Sequence, residues 1–120
     1  MDILPLKGLH VLLAEPSYIM AMDIRDCLMA GGAEVLGPVP REEQAHAILD
    51  TKSVDVTLFS AQLLHGSALA TRLTVWYLPS LLLCFEPLPV DHPLRLGRPQ
   101  LVVPISRERL HEAVSAVLTT

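Results

Sequence analysis

The hydrophobic positions of this chain fall into short, dense runs that alternate with segments of helical spacing. His10 to Glu15 (HVLLAE) is a short apolar run, the signature of a strand covered on both faces. Ser17 stands where an N-cap belongs. After it Ile19, Met20, Ile24, Cys27 and Leu28 recur at helical spacing until Gly31–Gly32 ends the pattern. Glu34 to Leu36 reads as a second strand, stopped by Gly37–Pro38, and Arg41 to Asp50 as a helix with Ala45, Ile48 and Leu49 on one face. Val54 to Phe59 is a third strand. Ser67 to Trp76 is a helix in spite of Thr71, Thr74 and Val75, which form helices weakly. Leu81 to Cys84 and Leu101 to Val103 are the last two strands. Ser106 then caps a helix whose stripe is Leu110, Ala113, Val114, Val117 and Leu118.

One segment breaks the alternation. Glu86 to Gln100 (EPLPVDHPLRLGRPQ) carries Pro87, Pro89, Pro93 and Pro99 and has no apolar helical stripe. Each proline lacks an amide donor and pushes the residue before it out of helical geometry, so at most about two helical turns are expected there.

Five short apolar strands alternating with helices predict a three-layer α/β fold around a parallel sheet. Right-handed crossovers leave few topologies at this size. The expected one is flavodoxin-like, with strand order 2-1-3-4-5, a fourth helix short or missing, and a site at the carboxyl ends of the strands.

The 120 residues predict one domain, spanning 1–120, with a core that needs neither disulfide nor metal. Hydrophobic residues make up 51% and charged residues 18%, which excludes a disordered chain. The longest mostly apolar run, Thr74 to Phe85, is broken by Pro79 and too short for a bilayer. MDILPLKGLH, with an acid at Asp2 and no long apolar core, is not a signal peptide, and a cytoplasmic protein without membrane attachment is expected. A net charge of −4 leaves no basic footprint for nucleic acid; Arg95 and Arg98, close together in a loop, are expected to be solvated.

Cys27 and Cys84 lack CxxC spacing and read as buried free thiols. His10, His46, His65, His92 and His111 are spread over separate elements, without the spacing of metal ligands. No metal and no cofactor are expected. Trp76–Tyr77, just before a strand, reads as core rim, with an interface anchor as the alternative.

In this order and spacing the chain resembles the receiver domain of bacterial two-component response regulators, over nearly its whole length. VLLAEPSYIMAMDIRDCLMAGGAEVLGPV (Val11 to Val39) is similar, without a gap, to the family's first strand, first helix and second strand. The VLGP of Val35 to Pro38 is typical of a subgroup of single-domain receivers. VDVTLFSAQL (Val54 to Leu63) is similar to the strand that ends in the phosphoacceptor aspartate. VVPISRERLHEAV (Val102 to Val114) is similar to the lysine–proline turn and final helix.

The resemblance implies a set of groups that this chain mostly lacks. Two adjacent acids and the phosphoacceptor hold Mg²⁺ in the family, a lysine neutralises the phosphoryl group, and a switch hydroxyl binds it. The acid pair falls on Glu15 and Pro16, the phosphoacceptor on Ser60, the switch hydroxyl on Cys84 and the lysine on Val103. Only Glu15 keeps the expected chemistry. Ser60 has no adjacent base evident in the sequence, and a neutral hydroxyl alone is a weak nucleophile. Pro104 keeps the proline of the family's turn, so a cis Val103–Pro104 bond is implied.

The expectation is therefore a pseudo-receiver that is not an enzyme. It would act by binding a protein such as a histidine kinase or another response regulator, with a homodimer also compatible. The alternative is a flavodoxin-like crevice reused for a small molecule, against which the lack of a Gly-rich phosphate loop counts. Phosphorylation at Asp55 or Asp91 instead would use the wrong end of the sheet or a loop.

Overall fold

The computed structural model describes residues 4–119; Asp2 lies outside them. The elements are β1 (His10–Ala14), α1 (Tyr18–Ala30), β2 (Glu34–Val39), α2 (Glu42–Thr51), β3 (Val56–Ser60), α3 (Gly66–Val75), β4 (Ser80–Cys84), β5 (Gln100–Val102) and α4 (Arg107–Leu118). The five strands are parallel and lie in the order β2-β1-β3-β4-β5. This is the expected three-layer fold, and no helix stands between β4 and β5.

Alternation along the strands sorts the core into two layers. Val11, Leu13, Val56, Leu58, Leu81 and Leu83 face one side, where Ile24 and Leu28 of α1 and Leu110 and Val114 of α4 cover them. Leu12, Ala14, Phe59 and Leu82 face the other, beneath Ala45 of α2 and Leu69, Ala70 and Leu73 of α3. β3 and β4 are buried throughout, as continuous apolar runs in a parallel sheet should be.

The caps match the sequence. Ser17 accepts a hydrogen bond from the Met20 amide, and Ser106 from the Arg109 amide. The end of α1 packs closely on α4. His111 Nε2 donates to the Cys27 carbonyl at 2.7 Å, and a Cβ at Gly31 would lie 2.8 Å from the same nitrogen.

Three expectations need correction. The second strand does not stop at Gly37–Pro38 but continues to Val39. Leu12 pairs with Leu36 and Ala14 with Val39, so β2 carries one extra residue and bulges. Gly37 sits at φ +102°, where a Cβ would meet the Leu13 carbonyl oxygen and the Val39 amide nitrogen at 2.8 Å each. Only glycine fits there. Ile19 is not on the buried stripe of α1; it is 82% exposed. Trp76 and Tyr77 are not core rim either, at 70% and 93% exposed, because α3 ends at Val75 and the chain turns outward through Tyr77 at φ 54°.

The segment between β4 and β5 is irregular, yet its Leu88 and Leu94 pack on the face shared with α2 and α3. Arg95 and Arg98, expected in solvent, hold it down. Arg95 donates through Nη1 to the Leu88 carbonyl and through Nε to the Arg98 carbonyl. Arg98 is buried. Its Nε donates to Ser80 Oγ at 2.8 Å, Nη2 to the Ala70 carbonyl at 2.8 Å and Thr74 Oγ1 at 2.7 Å, and Nη1 to the Leu94 carbonyl. The guanidinium also lies 5.1 Å from the centroid of the Phe59 ring, within cation–π range. A loop without a helix cannot satisfy its own backbone, so side chains do so.

Candidate functional site: the carboxyl end of the sheet

The register brings the expected residues to one end of the sheet. Ala14 pairs with Phe59 and Ser60 with Leu83, so Glu15, following β1, stands beside Ser60 at the end of β3. Glu15 is 3% and Ser60 2% exposed. The Glu15 amide donates to the Val39 carbonyl, so the extra residue in β2 delivers the strand to this position.

The Glu15 carboxyl accepts from the Ser17 amide at 3.0 Å, with the Ser60 hydroxyl beside it. Burial pushes its pKa up from the ordinary carboxylate value, and the Ser17 and Ser60 hydrogen bonds oppose that rise without cancelling it. Ser60 Oγ in turn accepts from the Gln62 amide at 3.0 Å. Glu15 is brought beside Ser60 by strand register rather than by proximity in sequence. Each group is bonded to a local amide, Glu15 to that of Ser17 and Ser60 to that of Gln62.

The other positions do not join them. Pro16 is exposed. Val103 is buried among the apolar residues of the face beneath α1 and α4, and the Val103–Pro104 peptide is cis, as is Gly37–Pro38. Cys84 is buried at the end of β4, its thiol directed to Gln100 Oε1 at 3.5 Å and the Leu101 carbonyl at 3.6 Å; burial raises its pKa. Cys27, expected to be buried, is only half-buried.

A Mg²⁺ ion, implied by the family resemblance, does not fit this donor set. One buried carboxylate, a neutral hydroxyl and a proline cannot supply the anionic, near-octahedral oxygen shell it demands. Among the described residues no group of three His, Cys, Asp or Glu side chains could hold a metal ion. Asp55 lies at the opposite end of the sheet, accepting from the His10 amide at 2.7 Å, and Asp91 is exposed in the loop. Among the described residues no helix is long and apolar enough to cross a membrane.

Known proteins place this architecture. No family model and no curated protein matches the sequence. Solved structures do match. The receiver domain of the Francisella response regulator 1452 superposes with a TM-score of 0.77 at 20% identity, covering 93% of this chain and 98% of that one. A two-component response regulator from Clostridium difficile gives 0.80 at 17% identity, covering 93% and 97%. The chemotaxis response regulator CheY4 of Vibrio cholerae gives 0.79 at 21% identity, covering 92% and 98%. The fold is that of a response-regulator receiver domain. The receiver-like fold thus extends across nearly all of this chain, while its carboxyl-end site has the buried Glu15–Ser60 pair described above.

Proposed function

We propose that this chain is a degenerate receiver, one unit over residues 1–120, that serves two-component signalling in the cytoplasm by binding a protein partner without being phosphorylated. The observation that carries this reading is the Glu15–Ser60 pair, a lone buried carboxylate beside the buried hydroxyl that stands at the phosphoacceptor position. A receiver switches when Mg²⁺ and a phosphoryl group favour one of two conformations, and a ligand that does not bind shifts no equilibrium. Here Pro16 and Val103 withdraw an anion and a cation from the site, and Ser60 is committed to internal hydrogen bonds. No cation stands among Glu15, Pro16, Ser60, Cys84 and Val103 to balance the charge of a phosphoryl group. Binding rather than catalysis is the consistent output, with a histidine kinase or another response regulator as partner.

The test adds millimolar Mg²⁺ with beryllofluoride to the isotopically labelled protein and records amide NMR shifts. No response at Glu15, Ser60 or Gln62 is expected. A histidine kinase or response regulator from the same cell should bind equally well with and without phosphodonor. Saturable shifts at those three residues, or a phosphorylated species by mass spectrometry, would overturn the reading.

A further inference from the structure

A cavity of about 680 Å³ opens at the amino end of β4, remote from Glu15 and Ser60. That volume lies within the roughly 300–1,000 Å³ of small-ligand sites. Leu73, Leu78, Leu96 and Leu118 supply much of its wall, brought together from α3, the β4 approach, the proline-rich loop and the end of α4. Among the described residues Arg98 is the only charged one in the lining.

Among the described residues that charge has no counter-ion. Arg98 is 6% exposed, and all of its hydrogen-bond acceptors are neutral: two hydroxyls and two backbone carbonyls. Among the described residues the ion pairs are formed by other side chains, none by Arg98. Buried charges are ordinarily paired, because desolvation is otherwise uncompensated. Burial accordingly lowers the Arg98 pKa to about 10. A second observation marks the same place. Of the three non-glycine residues with positive φ among those described, Tyr77 and Leu96 line this cavity. Such conformations persist where surrounding structure imposes them, and they gather at binding sites.

We propose that this cavity binds a small amphipathic carboxylate, its acid group paired with the Arg98 guanidinium and its unbranched apolar tail laid along Leu73, Leu78 and Leu118. The ligand supplies the missing anion and covers apolar wall in one step. An alcohol of the same length would cover the wall without neutralising the charge, and a quaternary ammonium would be repelled. The cavity lies at the other end of the sheet from Glu15 and Ser60, so its test does not rest on the reading of that pair.

The probe is decanoate, titrated below micelle-forming concentration into the labelled full chain, with decanol and decyltrimethylammonium as same-length controls. Saturable amide shifts centred on Leu73, Ser80, Gly97 and Ala116 are expected for decanoate. Decanol should bind at least about tenfold more weakly, the loss of one charge-assisted contact. Ala116 is exposed on α4 and lines the cavity, so Ala116→Phe should occupy the space and abolish the decanoate shifts without unfolding the protein. Absence of shifts with decanoate, equal affinity for decanol, or undiminished decanoate shifts in a folded Ala116→Phe variant would each overturn the proposal.

Discussion

The two faces of the sheet are covered by different physics. Beneath α1 and α4 the cover is helical and apolar: Ile24, Leu28, Leu110 and Val114 close over Val11, Leu13, Leu58, Leu81 and Leu83. On the other face α2 and α3 cover only part of the sheet. The remainder lies under a proline-rich loop that contributes Leu88 and Leu94 and is tied down by the Arg98 guanidinium. Burial of area is non-directional and tolerates small displacements, whereas a guanidinium shared among fixed acceptors holds one geometry. One face therefore draws its stability from volume, the other partly from a single point.

The largest expected effect falls on the apolar face. Leu110 is fully buried, and Leu110→Ala should destabilise the protein by about 3 kcal/mol through lost transfer energy and a residual cavity. Urea denaturation measures this, and the loss should lower protection from hydrogen exchange throughout the slowest-exchanging core. A cost below about 1 kcal/mol would mean that α4 relaxes into the space and that the face is not closely packed.

Arg98→Met should cost less, about 2 kcal/mol, and act in a different place. It keeps the apolar stem and removes every hydrogen bond from the guanidinium, leaving the Ala70 and Leu94 carbonyls without that donor. Hydrogen exchange should quicken first at the Arg95 and Arg98 amides, which bond to His92 and Arg95 within the loop, while α1 and α4 stay protected. If exchange rose equally on both faces, the contrast between them would be wrong. Gly37→Ala comes next, at about 1–2 kcal/mol, because it forces a Cβ onto two backbone atoms at a positive φ. Denaturation midpoints check it, and a neutral result would show that β2 can shed its extra residue.

The same contrast explains what could be read from the sequence. Elements on the apolar face announce themselves by period: the stripe Leu110, Ala113, Val114, Val117 and Leu118 is buried or packed against the core as its spacing requires. The proline count was equally informative about the missing helix. Nothing periodic marks Arg98, whose partners at Ala70, Thr74 and Ser80 are 18 to 28 residues away. A usable signal existed nevertheless. Phe59 and Leu82 had to be covered, and a loop of prolines with two arginines is poor in apolar cover. At the site, the strand ends gave the positions of Glu15, Ser60 and Cys84, but the Glu15–Ser60 contact depends on register between β1 and β3, which periodicity does not set.

The smallest effect concerns that contact, and its sign follows from linkage. Burial raises the pKa of Glu15 above the ordinary 4.5, so the folded state holds this proton more tightly than the unfolded chain does. The stabilisation from protonated Glu15 is complete below the ordinary carboxylate value and is lost as pH rises through the raised one. Above the raised value the wild-type protein therefore carries a buried, ionised carboxylate at a net cost. Glu15→Gln keeps an oxygen to accept from the Ser17 amide and Ser60 hydroxyl but cannot ionise. The variant should match wild type at a pH below the ordinary carboxylate value and exceed it at a pH above the raised one, by less than the Gly37→Ala effect. Comparing the two proteins by denaturation at both pH values isolates this group from the other carboxylates, which titrate in both. A wild type more stable than the variant at the higher pH would mean that the Ser17 and Ser60 hydrogen bonds outweigh burial. The carboxylate would then be held charged beside Ser60, and the carboxyl end of the sheet would retain an anion for a cation to find.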